Sequence, residues 1–284
     1  MTVDDPTTLV STDWLADHLH DPDLRILDGS WYLPAMKRDA RAEYDAAHIP
    51  GARFFDIDEI SDHRSDLPHM APPIEKFMSR MRAMGIGDGH QVVVYDGAGI
   101  FSAPRVWWTF RLMGKRDIAV LDGGLPKWRT EGHSVEDLPP LIRDRHMTVQ
   151  RQAQMVKDAT QVASASKLGD WEIIDARSAE RFQGVAAEPR AGLRSGHIPG
   201  SVNLPFGRLL AEDGTLLPVD QLRAAFIDAG VDLSKHAITT CGSGVSAAIL
   251  SLALERLGKT DHALYDGSWA EWGLYDGFKV ATGE

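Results

Sequence analysis

Ala237–Gly244 reads AITTCGSG: a short run suited to a buried strand, then a turn with two glycines and the single cysteine of the 284-residue chain. VVVYDGAG, Val92–Gly99, has the same plan 145 residues earlier. Three more pairs keep step with it. Ile26-Leu27-Asp28 returns as Ile173-Ile174-Asp175 at an offset of 147, and His48-Ile49-Pro50-Gly51 as His197-Ile198-Pro199-Gly200 at 149. AVLDGGLPKW (Ala119–Trp128) returns as ALYDGSWAEW (Ala263–Trp272) at 144. Colinear matches at so nearly constant an offset mean a unit of about 130 residues written twice, too long and too few for a solenoid.

Each copy alternates short apolar runs with helical spacing. Trp171–Ala176 and Ala237–Thr240 are too short and too apolar for surface helices and predict strands. Gln221–Ala229 and Val245–Leu257 predict helices, the second with Leu250, Ala253, Leu254 and Leu257 on one stripe, and Gly230 and Gly258 stand where left-handed C-caps are wanted. In the first copy Ser102-Ala103-Pro104 opens RVWWTFRLMG, which Gly114 closes. Alternation of this kind predicts an α/β fold, each domain a mostly parallel sheet flanked by helices. The expected division is 1–140 for the first domain, 141–156 for a linker and 157–284 for the second domain.

A formal charge of −11 argues against nucleic acid or an anionic membrane as partner. One cysteine excludes an internal disulfide framework and a Cys-rich zinc site. The opening MTVDDPTTLVSTDWL lacks a basic and an apolar region, so no signal peptide is expected, and no run is long enough to cross a bilayer. The expected location is the cytoplasm, where a free thiol persists.

Cys241 sits between strand and helix, at the carboxyl end of a strand, where open α/β sheets bind ligands. Gly242 and Gly244 allow the backbone N–H groups to turn inward, and the following helix directs its positive end at the same point. Both favour thiolate over thiol, so Cys241 reads as a nucleophile. The first copy has Asp96 at this position, read as a turn or cap residue, so thiol chemistry belongs to the second copy alone. A Cys-x5-Arg phosphatase loop would need an arginine at 247, which is alanine. A cysteine-protease reading needs a histidine base, and His197 and His236 both read as structural.

The motifs RDARAEYDAAHIPGARFFDID, SAPRVWW, LDGGLPKW, EPR, GHIPG, CGSGVS and YDGSWAEW together resemble the two-domain rhodanese sulfurtransferases along nearly the whole chain, most nearly the branch that uses 3-mercaptopyruvate. The resemblance implies two tandem rhodanese-like domains, the first inactive and the second catalytic. It implies that Cys241 takes the thiol sulfur of 3-mercaptopyruvate as a persulfide, releases pyruvate and passes the sulfur to cyanide, a small thiol or thioredoxin, with no metal and no organic cofactor. The loop N–H groups of Gly242, Ser243, Gly244, Val245 and Ser246 would hold the negative charge.

Two substrate arginines of the family map onto Arg181 and Arg190, whose forked guanidinium suits a carboxylate. A proposed Ser–His–Asp relay maps onto Ser243, His69 and Asp58. Thiosulfate-using members resemble Cys-Arg-Lys-Gly-Val-Thr, whereas Gly242 and Ser243 are neutral, which favours a monoanionic keto acid. Ser246 replaces the family's usual threonine. Trp269 and Trp272 read as packing or pocket-lining residues. Two alternatives stay open: a thiosulfate:cyanide sulfurtransferase, and a persulfide carrier serving a protein partner.

Overall fold

The computed structural model describes residues 4–283, so Met1–Val3, with the start of the leader reading, lie outside the described residues. Among the described residues ten strands form two sheets. β1 (Leu9–Val10), β2 (Leu24–Asp28), β3 (Arg53–Phe54), β4 (Gln91–Tyr95) and β5 (Ile118–Leu121) lie in the order β1-β5-β4-β2-β3. β6 (Val156–Lys157), β7 (Trp171–Asp175), β8 (Val202–Asn203), β9 (His236–Thr240) and β10 (His262–Tyr265) repeat that order as β6-β10-β9-β7-β8. Every pairing is parallel, as crossover helices on both faces require. The expected fold is therefore present twice.

The chain separates into two compact units, and the division is not linear. The first holds Met1–Asp62, Ala71–Gln152 and Leu210–Leu216; the second holds His63–Met70, Ala153–Leu209 and Leu217–Glu284. Each unit thus contains one short segment from the other half of the sequence. The two segments begin 147 residues apart, so they are the same connection of the repeat, lying before the helices Ile74–Ala83 and Val219–Asp228. In the first unit the Leu216 N–H is bound by the Asp122 carboxylate at 2.8 Å.

The helix Ala247–Arg256 corrects the expectation of one apolar stripe: Ala247–Leu254 are all buried, so the helix is packed on every side. It also starts two residues later than expected, because Val245 and Ser246 still form a tight turn, with Ala248 N–H on the Val245 carbonyl at 3.2 Å. The helix Ala103–Leu112 is equally enclosed, and its Arg105 lies 4.4 Å over the Trp108 ring. Gly114, Gly230 and Gly258 adopt positive φ, as their C-cap reading requires.

Both HIPG turns are built alike. His48 Nδ1 meets the Tyr44 carbonyl at 2.7 Å with its ring stacked on Tyr44, and His197 Nδ1 meets the Phe182 carbonyl at 2.8 Å with its ring on Phe182. Among the described residues no helix is long and apolar enough to cross a membrane.

Candidate active site

The first copy shows what the strand–turn–helix loop is shaped to hold. Asp96 follows β4 and is fully buried. Its carboxylate accepts the backbone N–H groups of Ala98, Phe101, Ser102 and Ala103, all at 2.8–2.9 Å. Burial pushes its pKa up, and the four donors oppose that. The loop is therefore an anion cradle, and Asp96 fills it rather than merely capping a turn. The second loop is one residue shorter before its helix, so the corresponding positions of the second copy are Ser243, Val245, Ser246 and Ala247, headed by the thiol of Cys241.

Cys241 is buried directly after β9. Its carbonyl accepts the Trp269 N–H at 3.0 Å, just as the Asp96 carbonyl accepts the Leu125 N–H at 3.0 Å. Its own N–H reaches Ser268 Oγ at 3.3 Å, and that hydroxyl donates to the Tyr265 carbonyl at 2.8 Å. Ser268 has φ of +48°, where its twin Gly124 has +55°. A serine held in the left-handed region beside the nucleophile is strain kept at a working position. Ser243 and Val245 are buried, Gly244 turns at φ of +80°, and Ser246 is half-buried at the helix N-cap.

Arg181, in the helix Ala179–Gln183, lies against this loop: its Nη2 is 3.0 Å from where a Cβ on Gly242 would stand. Glycine at 242 thus makes room for a cation that arrives from another element. Arg181 gives Nε and Nη2 to Glu188 at 3.2 and 2.5 Å. Glu188 also accepts Arg177 Nη1 at 2.8 Å, and Arg177 is paired with Asp175 at 2.6 Å and stacked 4.2 Å over Trp269.

Arg190 gives Nη2 to His69 Nε2 at 3.3 Å, within the second unit. A guanidinium only donates, so this bond assigns the proton of a neutral His69 to Nδ1. His69 also has φ of +60°, an uncommon conformation for a residue with a side chain. Asp58, in the helix Ile57–Ile60 of the first unit, accepts the Trp31 indole N–H at 3.0 Å. The structure therefore brings Cys241, Gly242 and Arg181 together, and separately Arg190 and His69, while Asp58 belongs to the other unit.

Sequence reasoning passed over Arg177, Glu188 and Ser268. Glu188 stood in the quoted EPR motif, and Ser268 in the DGSW stretch whose twin has glycine, so both carried a signal.

A family model for the rhodanese-like domain matches twice, over residues 11–131 and 158–274. The chain belongs to the rhodanese family. It is 46% identical to thiosulfate/3-mercaptopyruvate sulfurtransferase 1, mitochondrial, of Arabidopsis thaliana, over 93% of this chain and 75% of the relative. To 3-mercaptopyruvate sulfurtransferase of Escherichia coli K12 it is 42% identical, over 94% and 95%. The crystal structure of SseA from Escherichia coli, a 3-mercaptopyruvate sulfurtransferase, superposes with a TM-score of 0.85 at 40% identity, covering 93% of this chain and 99% of that one. The rhodanese architecture accounts for both sheets and for the loop that follows β4 and β9.

Proposed function

We propose that this rhodanese transfers the thiol sulfur of 3-mercaptopyruvate through Cys241. The observation that carries the reading is the twin cradle: the turn that wraps the Asp96 carboxylate in four N–H bonds presents a thiol in the second copy. The Cys241 thiolate attacks the substrate sulfur, the carbon–sulfur bond breaks, and its electron pair stays on carbon as the pyruvate enolate. The proton of the substrate thiol passes to that carbon, leaving pyruvate and an anionic persulfide on Cys241. The N–H groups of Ser243, Ser246 and Ala247 stabilise this charge, as their twins stabilise a carboxylate. An acceptor (cyanide, a small thiol or a thioredoxin-like dithiol) then attacks the outer sulfur and restores the thiolate.

Arg181 and Arg190 bind the substrate carboxylate and keto oxygen, and Ser243 with His69 handles the proton. Asp58 keeps the third place in that relay on the resemblance alone. The second unit is the catalytic one, and the reducing cytoplasm suits a thiol that must stay free. Thiosulfate is a second donor in this reading, favoured by the double name of the Arabidopsis relative and by the cation that Arg181 brings to the loop.

Pyruvate and thiocyanate are measured with each donor for the wild type and Cys241→Ser. The variant should lose at least a thousandfold in kcat/KM with both donors, which is about 4 kcal/mol of barrier. Retained turnover in Cys241→Ser removes the mechanism, and a strong preference for thiosulfate reverses the choice of donor.

A further inference from the structure

Both copies lay an arginine over the glycine that follows the cradle head, and the two arginines are tied differently. In the first copy Arg38 bonds Glu43 through Nε and Nη2 at 2.8 and 2.6 Å, and gives Nη2 to the Gly97 carbonyl at 3.1 Å. That Arg–Glu pair is open to solvent, its side chains 33% and 40% exposed. In the second copy the carboxylate partner, Glu188, is only 2% exposed, and the fully buried Arg177 grips it from behind. The counterpart of Arg177 in the first copy is Ser30.

The loop carbonyl differs as well. The Gly242 carbonyl is taken by the Ala270 N–H at 2.9 Å. The residue matching Ala270 in the first copy is Pro126, which has no N–H to give. There the arginine serves the loop itself. Beside Cys241 the backbone serves the loop, and the arginine is held by a carboxylate anchored in the core.

We propose that Glu188 is a positioning residue for the sulfur donor. Clamped by Arg177, which Asp175 holds in turn, it fixes Arg181 over Gly242, and the Ala270 N–H releases that guanidinium from the loop so that it meets the carboxylate of the substrate. A guanidinium carries five N–H donors, and Glu188 engages one edge of them, leaving the geometry for a second anion set in advance. The proposal rests on the reading of Arg181 as a substrate-carboxylate ligand. It makes a prediction opposite to that of simple charge. Removing a nearby carboxylate should help an anion bind, whereas removing a positioning group should hinder it.

The experiment compares the full-length wild type, Glu188→Gln, Arg181→Gln and the double variant, with 3-mercaptopyruvate as donor and cyanide as acceptor. Alkylation of Cys241 by neutral iodoacetamide reports the integrity of the cradle. Glu188→Gln should raise KM about tenfold, the scale of one charge-assisted hydrogen bond, with kcat and the alkylation rate little changed. In the Arg181→Gln background it should add nothing further. An unchanged or lowered KM in Glu188→Gln, with KM raised in Arg181→Gln, overturns the positioning role alone. An unchanged KM in Arg181→Gln overturns the underlying reading of the site. If the Gln variant does not fold, Glu188→Asp draws the carboxylate back while keeping its charge, and Ala270→Pro copies the backbone of the first copy. Both should raise KM, and normal KM in both sinks the proposal.

Discussion

In the proposed reading Gly242 is the residue on which the donor preference turns, for a steric reason that its neutrality alone does not convey. A Cβ there would stand 3.0 Å from Arg181 Nη2. The guanidinium would have to yield, and it is tethered by two bonds to Glu188. Gly242→Ala should therefore raise KM for 3-mercaptopyruvate by about fivefold, roughly 1 kcal/mol, while the melting temperature moves little. Steady-state kinetics with a parallel thermal melt checks this, and an unaltered KM would mean that Arg181 has room to spare. The Cys-Arg-Lys loop that the resemblance implies for thiosulfate-using members would place a cation in the loop itself; here a cation comes from the helix Ala179–Gln183. That substitution of one source for another is invisible along the chain, because Arg181 and Gly242 are 61 residues apart.

At the scale of elements, matching strands end on matching aspartates with different fates. Asp175, at the end of β7, is neutralised by the buried Arg177. Asp28, at the end of β2, lacks that arginine because position 30 is serine, and burial pushes its pKa up to about 6. A carboxyl raised in the folded state favours the protonated fold. Its contribution is complete below about pH 4 and is lost as the pH rises through about 6. Asp28→Asn should therefore gain stability relative to wild type across that window, by up to about 2–3 kcal/mol at neutral pH. Denaturant melts of both proteins at several pH values read the difference, and a constant difference would rule it out.

Element by element, legibility followed length and period. The central strands β4, β7 and β9, and the glycine caps, were readable because apolar runs and breakers mark them. The two-residue edge strands β1, β3, β6 and β8 are too short to show any period and become strands only through their partners. The helix Ala247–Arg256 misled in another way: a helix buried on every side has no polar face to mark the others as inward.

At the scale of the whole molecule, the repeat was legible from four motif pairs, whereas the exchange of segments was not, since composition does not say which sheet a connection joins. The exchange gives equivalent segments unequal tasks. His63–Met70 supplies the second unit with His69, which meets Arg190. Leu210–Leu216 supplies the first unit with a hairpin whose Gly214 carbonyl lies 3.3 Å from where a Cβ on Gly99 would stand, on the Asp96 turn. The filled cradle is thus also a roofed one.

The consequence is an asymmetry that a single substitution should not undo. Transplanting the nucleophile, as Asp96→Cys in a Cys241→Ser chain, would give the first unit a thiol at the head of its turn, but the Gly214 backbone would still stand in a visitor's path. That thiol should stay silent toward a disulfide reagent in the folded protein and react only on unfolding; native labelling as fast as at Cys241 would show the roof to be open. The repeat holds one socket headed by a thiol and one cast of it, set hard around its own carboxylate.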